Sequence, residues 1–345
     1  MIARRASALL AALLLTGAAA CGSSEGGGTS DTSDTTAAAG GSETTETTEP
    51  AEPYTLRVGF IAPKGTIYTF HGFSMENGEF DEIMAEAGVE SIETVAFPNG
   101  TNVTDAFTSG AIDVAIQTDT PAIIARANGV DTRLLDAVTL GQDAWIVAKK
   151  DGPTSVEELA GGTVGVPKGS YADRYLRGVL AEAGILDEVN ITNVLPTDAS
   201  AALASGDLDA YAALAPFNVV LETQGYPVID EARKDHPELT GASYSIARQA
   251  FLDEHPEFVA AWEEARTQAI EEIGADFDAF VEFQATALGQ TLEIQQEAAN
   301  PIEAYPEERM PDEAWQQLED TMAFLLEQEL IPAEFDLEEW YFEGE

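Results

Sequence analysis

The chain has 345 residues, of which 62 are Asp or Glu and only 16 are Lys or Arg, so its formal net charge is −46 at pH 7. A surface with this charge repels nucleic acid and anionic lipid, which argues against both as partners. Cys21 is the only cysteine, so an intramolecular disulfide is excluded.

The first residues have the features of an export signal. Arg4 and Arg5 precede an apolar run that is too short to span a bilayer, and small residues lead up to Cys21. This arrangement resembles a bacterial lipobox, which would place a lipid anchor on Cys21, although Ala18 stands where that pattern usually has Leu. Ordinary signal cleavage after the alanines is the alternative. We therefore expect a signal peptide over residues 1–20 and an extracytoplasmic protein, lipid-anchored to the outer face of the cytoplasmic membrane.

Residues 21–53 are predicted to be a disordered linker between that lipid anchor and the folded part. They consist largely of Gly, Ser, Thr, Ala and Glu, with almost no large apolar side chain that could form a core. A flexible coil of this length would span about 30 Å root mean square.

The first predicted lobe begins with a strand at residues 56–61, which runs into Pro63-Lys64-Gly65-Thr66. An apolar run followed by a tight turn and a hydroxyl residue predicts a strand, a turn and a helix with Thr66 as its N-cap. Further strands are expected at 92–97, around Asp113 and at 132–138, with helices between them. Thr118, Asp119 and Thr120 precede Pro121, which marks another helix start.

The second predicted lobe repeats this arrangement. After a crossing at residues 145–149, a strand at 163–166 runs into Pro167-Lys168-Gly169-Ser170, with Ser170 as the predicted N-cap of a helix. Gly206 and Asp209 then match Gly110 and Asp113 in the first lobe, and this repetition predicts two similar α/β lobes with a cleft between them. Because helix N-terminal N–H groups have no partner inside the helix, the two Pro-Lys-Gly turns favour an anion or an oxygen-rich ligand group.

The remaining chain is predicted to return to the first lobe and end in helices. Residues 243–248 are the candidate strand that crosses back, which makes a two-stranded hinge. Phe258, Trp262, Ala265, Ala269 and Ile273 recur at helical spacing, and two further helices are expected at 277–288 and 311–330. We therefore expect lobe one at residues 54–148 and 241–345, lobe two at 149–240, and the C-terminal helices packed on lobe one.

The order and spacing of several short motifs resemble substrate-binding proteins of bacterial ABC importers, in the branch of sulfonate, taurine, nitrate and thiamine-precursor binders (SsuA/THI5-like, NMT1-like). The motifs are Ser109-Gly110-Ala111-Ile112-Asp113-Val114-Ala115 with Pro121, Leu159-Ala160-Gly161-Gly162-Thr163-Val164-Gly165-Val166 with Gly169-Ser170, Pro196-Thr197-Asp198-Ala199, and Phe251-Leu252-Asp253-Glu254-His255-Pro256-Glu257. The resemblance implies a type II periplasmic-binding-protein fold, with two mixed sheets flanked by helices. It also implies a monomer that carries a small organic solute, sulfonate-like or taurine-like, to ABC permease subunits.

The resemblance also implies where the ligand contacts lie. They fall on Lys64, Gly65 and Thr66, on Thr118, Asp119 and Thr120, on Gly169 and Ser170, and near Tyr211, while Tyr171 is the candidate for stacking. Asp119-Thr120 replaces a frequent Gly-Glu, so the ligand cannot be carried over by name. Asp119 would repel an anion but pair with an amine or an aminopyrimidine. Taurine, which has both charges, would satisfy Asp119 together with Lys64 and Lys168.

The alternatives are a binder of a thiamine-precursor pyrimidine, a sensor domain that feeds a membrane receptor, and a pyrimidine synthase. The export signal and the missing cysteine cluster argue against the synthase. The sequence has no P-loop, no H-E-x-x-H and no G-x-S-x-G motif, and its three histidines are scattered. We therefore expect a protein that is not an enzyme and needs no cofactor or metal.

Overall fold

The computed structural model of the chain describes residues 53–62 and 64–344. The predictions for the signal peptide, Cys21, the linker up to residue 52 and Pro63 lie outside the described residues. The described residues belong to one compact unit built on two β-sheets.

The described residues of this unit contain ten strands and fourteen α-helices, together with short 3-10 helices. The strands are β1 Tyr54–Ile61, β2 Val89–Phe97, β3 Val114–Thr118, β4 Thr132–Gln142, β5 Ala144–Ala148, β6 Thr163–Val166, β7 Asn190–Asn193, β8 Ala210–Leu214, β9 Val228–Glu231 and β10 Gly241–Arg248. The helices are α1 Phe70–Asn77, α2 Glu79–Glu86, α3 Gly100–Thr108, α4 Asp119–Ala127, α5 Tyr171–Glu182, α6 Ala199–Ser205, α7 Phe217–Thr223, α8 Ala232–Asp235, α9 Gln249–Glu254, α10 Phe258–Ala275, α11 Phe277–Leu288, α12 Leu292–Ala298, α13 Asp312–Glu327 and α14 Leu337–Trp340.

The two sheets have the same pattern of strand directions. The first has the order β2-β1-β3-β10-β4, with β1 parallel to β2 and β3 and with β10 antiparallel to β3 and β4. The second has the order β7-β6-β8-β5-β9, with β6 parallel to β7 and β8 and with β5 antiparallel to β8 and β9. The predicted pair of mixed sheets flanked by helices is thereby confirmed.

The matched aspartates Asp113 and Asp209 occupy equivalent positions in the two sheets. Asp113 Oδ2 accepts a hydrogen bond from the Arg57 backbone N–H at 3.0 Å, and Asp209 Oδ2 accepts one from the Thr163 backbone N–H at 2.8 Å. Arg57 lies in β1 and Thr163 begins β6, whereas the two aspartates directly precede the central strands β3 and β8. Each carboxylate therefore joins the start of the central strand to its parallel neighbour. These bonds explain why the sequence repeats an aspartate at this point of each lobe.

The chain crosses between the sheets earlier than the sequence predicted. β4 ends at Gln142, and residues 144–148 already form β5 of the second sheet, paired with β8 and β9. The crossing therefore lies at Asp143, whereas lobe one was predicted to extend to residue 148. Asp143 fits this position because its carboxylate accepts hydrogen bonds from the Ala144 backbone N–H and from Trp145 Nε1. The return to the first sheet occurs where β10 begins, at Gly241.

The C-terminal helices cover the first sheet, as predicted. The stripe of apolar side chains on α10 is buried, with Trp262 1% exposed and Phe258 fully buried, and it packs in one core with β1 and α2. Leu318 and Leu325 of α13 enter a second core with Tyr244 of β10. No helix in residues 53–62 and 64–344 combines the length and the apolar composition that a membrane span requires.

Candidate functional site

A cleft of about 660 Å³ lies between the two sheets. It is lined by residues at or just beyond the carboxyl ends of β1, β2 and β3 in the first sheet and of β6, β7 and β8 in the second, where ligands of open α/β sheets bind. Part of α11 and α12, with the residues that follow α12, closes the remaining wall. The cleft therefore collects groups from both lobes and from the C-terminal segment.

Two lysines, one from each Pro-Lys-Gly turn, line the cleft. Lys64 and Lys168 are exposed, and within the described residues neither Nζ has an ion-pair or hydrogen-bond partner. By contrast, Lys149 and Lys234 are each paired with a carboxylate, and Lys150 lies 5.0 Å above the ring of Tyr226. In so acidic a chain, two ammonium groups that have no partner among the described residues make the edge of this cleft complementary to an anion.

Lys64 rests against the end of α11. A Cβ atom added to Gly289 would lie 2.4 Å from Lys64 Nζ, and Gly289 ends α11 with a positive φ of 70°. The helix C-terminus carries a partial negative charge, which stabilises an ammonium group placed there. The glycine thus leaves the space that Lys64 occupies.

Three helix N-termini also border the cleft. The N-cap residues are Asn99 of α3, Thr118 of α4 and Ser170 of α5, and all three line it. The starts of α3 and α4 are close together because Gly100 lacks a Cβ, which would lie 2.4 Å from Pro121. Unpaired N–H groups and the helix dipole favour negative charge at such ends.

Ser170 caps α5, which confirms this part of the sequence analysis. Its Oγ accepts a hydrogen bond from the Asp173 N–H at 3.4 Å, and the Asp173 carboxylate accepts one from the Gly169 N–H at 3.0 Å. Gly169 has a φ of 77°, a conformation that favours glycine. Both residues line the cleft, but the Gly169 N–H already has an internal partner, so ligand contact there stays a prediction.

Asp119 does not face the cleft, contrary to the expected ligand contact. Its side chain is fully buried: Oδ1 accepts from the backbone and the hydroxyl of Thr120, while Oδ2 accepts from Arg174 Nη2 and Thr321 Oγ1, both at 3.2 Å. Arg174 belongs to α5 of the second lobe and is 1% exposed on its side chain, and its Nη2 also donates to the Thr240 carbonyl. The carboxylate is therefore used in a buried ion pair between the lobes.

Three further predicted contacts also lie away from the cleft lining. Thr66 is exposed and caps no helix, since α1 begins at Phe70 with Thr69 before it. Thr120 is buried beside Asp119. Tyr211 is fully buried, and its hydroxyl donates to the Val194 carbonyl at 3.2 Å.

Tyr171 lines the cleft but is held by the hinge region. Its side chain is 5% exposed, its hydroxyl donates to the Asp143 carbonyl at 3.0 Å, and its ring fills the space beside Gly241. Burial raises the pKa of its phenol, so the hydroxyl stays a neutral donor. Of the predicted residues, Lys64, Gly65, Thr118, Gly169, Ser170 and Tyr171 line the cleft.

Sequence reasoning missed the amide side chains of the cleft wall. Gln284 Nε2 donates to the Tyr68 carbonyl at 3.1 Å, and Gln295 Nε2 donates to Gln284 Oε1 at 3.2 Å. Because the carbonyl can only accept, it fixes the orientation of both amides. Asn300 Oδ1 accepts from Arg233 Nη2, which leaves the Asn300 amide N–H groups as donors at the cleft.

The rest of the lining is uncharged. The larger apolar side chains are Ile61, Phe97, Ile124, Leu195, Leu214, Phe217 and Leu288. Among the described residues that line the cleft there is no Asp or Glu, although the chain contains 62 of them. The charge of the lining is therefore set by Lys64 and Lys168.

One histidine does meet a cluster of carboxylates, although the three histidines are scattered in the sequence. His236 Nδ1 lies 3.1 Å from Glu182 Oε2 and 3.8 Å from Glu238 Oε1, and its Nε2 lies 3.2 Å from Asp230 Oδ2. The ligand atoms of His236, Glu182 and Glu238 lie within 4.8 Å of one another, close enough to hold a metal ion. None of these residues lines the cleft.

Comparison with known proteins connects this geometry to a protein family. The model of the NMT1-like family matches residues 49–278. The chain is 30% identical over 205 residues, 57% of its length, to an Escherichia coli (strain K12) protein provisionally named as binding aliphatic sulfonates. It is 26% identical over 191 residues, 55% of its length, to the taurine-binding periplasmic protein of the same strain. The matches span 60% and 59% of these two relatives.

Solved structures share the fold over most of the chain. The alkanesulfonate-binding protein SsuA from Xanthomonas axonopodis pv. citri, bound to MOPS, superposes with a TM-score of 0.69 at 20% identity, covering 85% of this chain and 99% of that one. A desulfurization enzyme, DSZB, superposes with a TM-score of 0.63 at 21% identity, covering 83% and 96%. The fold alone therefore does not separate binding proteins from enzymes.

Proposed function

The chain belongs to the NMT1-like family, and on that premise we propose that it is an extracytoplasmic solute-binding protein of an ABC importer. It captures a small organic anion of the sulfonate type between its two lobes and delivers it to the permease. The observation that carries this proposal is a pair of lysines, Lys64 and Lys168, which lie on equivalent turns of the two lobes at one cleft and have no partner in the part of the chain that the structure describes.

The geometry suits a mechanism of lobe closure. A sulfonate has three oxygens that accept hydrogen bonds, and the cleft offers ammonium groups together with the N-termini of α3, α4 and α5. Because the cationic groups come from both lobes, an anion between them interacts more strongly with a closed cleft than with an open one. Such differential contact is what a ligand needs to shift the population toward the closed state.

The N-terminal region fits delivery at a membrane. In this proposal residues 1–20 are a signal peptide, Cys21 carries the lipid, and the linker up to residue 53 lets a monomeric binding unit reach the permease subunits. Lobe one then comprises residues 54–142 and 241–345, and lobe two comprises residues 144–240, with the limits taken from the strand pairing. Metabolic labelling with a fatty acid, compared between the native chain and Cys21→Ala, tests the anchor.

The amides of the cleft wall favour a second candidate, a thiamine-precursor pyrimidine. Gln142, Gln284, Gln295 and Asn300 supply neutral donors and acceptors of the kind that recognise the edge of a pyrimidine ring. The burial of Asp119 counts against this ligand, because the carboxylate that would have paired with an aminopyrimidine is bonded to Arg174. A catalytic role has less support still, since the cleft lining contains no cysteine, histidine or carboxylate among the described residues.

A ligand panel followed by thermal unfolding separates the candidates. The purified protein is heated with alkanesulfonates, taurine, nitrate or a formylated aminopyrimidine, each at several concentrations. A ligand at a hundred times its dissociation constant adds about 2.7 kcal/mol to the free energy of unfolding, which gives a clear rise in melting temperature. We expect the rise with sulfonates. A rise with the pyrimidine alone would replace the proposed ligand class.

A further inference from the structure

We infer that the cleft selects sulfonates whose organic part carries no positive charge, and that it discriminates against zwitterionic aminosulfonates such as taurine. The inference rests on the proposed function and narrows its ligand class. It follows from where the carboxylates of this acidic chain are placed relative to the cleft.

The cleft offers no counter-charge to an ammonium group. Its described lining contains Lys64 and Lys168 as the charged side chains, with no Asp or Glu. An ammonium group that enters the cleft loses part of its hydration and gains no carboxylate in return. The two lysines also repel it. An uncharged methyl or aryl group at the same position incurs neither cost.

Asp119, which directly follows the lining residue Thr118, cannot turn toward a ligand without breaking internal bonds. Asp119 is fully buried between Thr120, Thr321 and Arg174. Turning its carboxylate toward a ligand would leave the Arg174 guanidinium buried and unpaired, which is strongly destabilising.

Two other carboxylates beside the lining are held in the same way. Asp173 is 4% exposed, accepts the Gly169 N–H and forms an ion pair with Arg177 at 3.0 Å. Asp143 accepts from Trp145 Nε1 and from the Arg233 backbone N–H. Asp119, Asp173 and Asp143 are therefore already neutralised or bonded within the protein.

The walls suit an uncharged organic group. Apolar side chains come from several elements, among them Phe97 at the end of β2, Phe217 of α7 and Leu288 of α11. The neutral amides of Gln284 and Gln295 are oriented by bonds to the backbone and to each other. A cleft of about 660 Å³ lies within the range of pockets for small organic ligands, so it has room for chains longer than the two carbons of taurine.

The test compares two isosteric ligands on the unaltered protein. Propane-1-sulfonate and taurine differ in a terminal methyl group against an ammonium group of about the same size. Titration calorimetry at pH 7 should give a dissociation constant for propane-1-sulfonate at least about tenfold below that for taurine. Taurine binding as tightly or more tightly would overturn the inference and leave the proposed function standing. Failure of every sulfonate to bind would overturn the proposed function itself.

A designed carboxylate checks the cause of the selectivity. Gln142 lines the cleft, and its Nε2 donates to Ser243 Oγ, a hydroxyl that can donate to a glutamate instead. Gln142→Glu should therefore raise the affinity for taurine and lower the affinity for propane-1-sulfonate, shifting their ratio at least about tenfold.

The matched control is Gln224→Glu. Gln224 is exposed, lies outside the cleft lining and accepts from Ser200 Oγ, a bond that a carboxylate keeps. This control should leave the affinity ratio unchanged. An unchanged ratio in a folded Gln142→Glu variant would contradict the inference, and thermal unfolding establishes that the variant is folded.

Discussion

The buried ion pair between Asp119 and Arg174 gives a sharp test of how the lobes are joined. Asp119→Asn keeps an oxygen for the Thr120 donors, but its Nδ2 cannot accept from Arg174. Both side chains are 1% exposed or less, so no solvent replaces the lost partner. Removing one member of a buried pair typically costs about 3–5 kcal/mol. Since Arg174 Nη2 keeps its bond to the Thr240 carbonyl, we expect a loss near the lower end, about 3 kcal/mol.

Urea unfolding of the native protein and the variant measures this loss directly. The control is Asp131→Asn, which breaks the ion pair of Asp131 with Arg126, where the Asp131 side chain is 75% exposed. Its loss should stay below about 0.5 kcal/mol, as is usual for exposed pairs. Because Asp119 does not touch the cleft, the folded Asp119→Asn protein should still bind its anion without loss of affinity. A stability loss as small as that of the control, or a clear loss of binding, would refute this account of Asp119.

Other predictions concern the buried histidine, the contact of Lys64 and the cap of α5. Burial, with a nearby arginine charge, lowers the pKa of His71 well below 6.5. Below pH 6.5 the His71 side chain is therefore protonated in the unfolded chain but stays neutral in the folded protein. The stability that the neutral side chain provides is lost as the pH falls. In urea unfolding, His71→Phe should remove up to about 1.4 kcal/mol per pH unit of that loss, and an identical pH dependence would contradict it. Gly289→Ala should cost about 1 kcal/mol of stability and, by displacing Lys64, weaken anion binding about threefold. The matched control is Gly184→Ala, where φ is 71° and an added Cβ would have no atom within 4 Å. It should cost the same stability. In titration calorimetry it should not change the affinity for the anion. Ser170→Ala should cost about 1 kcal/mol in thermal unfolding, and no loss would contradict the cap assignment.

The repetition in the sequence predicted the architecture because it reflects equivalent structure. Asp113 and Asp209 each join the central strand that follows them to its parallel neighbour through a backbone N–H of that neighbour, so the same residue recurs at the same step of each lobe. Strand ends and helix starts are likewise local features, which is why Lys64 and Ser170 were predicted beside one cleft. The crossing at Asp143 was placed too late because apolar residues 144–148 look the same in either sheet.

The direction of individual side chains could not be predicted in the same way. Asp119 starts a helix at the cleft, but its partner Arg174 lies 55 residues further along and in the other lobe. No local pattern reveals such a pairing. Gln284 sits within an apolar helix that the sequence predicts to pack on lobe one, and that pattern does not show the contact of its amide with the Tyr68 carbonyl. A glutamine among the apolar residues of this helix is the sequence feature that could have indicated a polar contact at this wall of the cleft.

The central claim is that an organic anion binds between the two lysine turns. Calorimetric titration of Lys64→Ala, Lys168→Ala and the double variant with the tightest sulfonate tests it, with Lys150→Ala as a control that removes an equal charge outside the cleft lining. We expect each single change to cost about 1 kcal/mol, roughly a fivefold loss of affinity, and the double change about thirtyfold. The control should stay within about twofold, as exposed charges away from a ligand are screened. Equal losses in the control and the double variant, or no loss in either, would contradict the account.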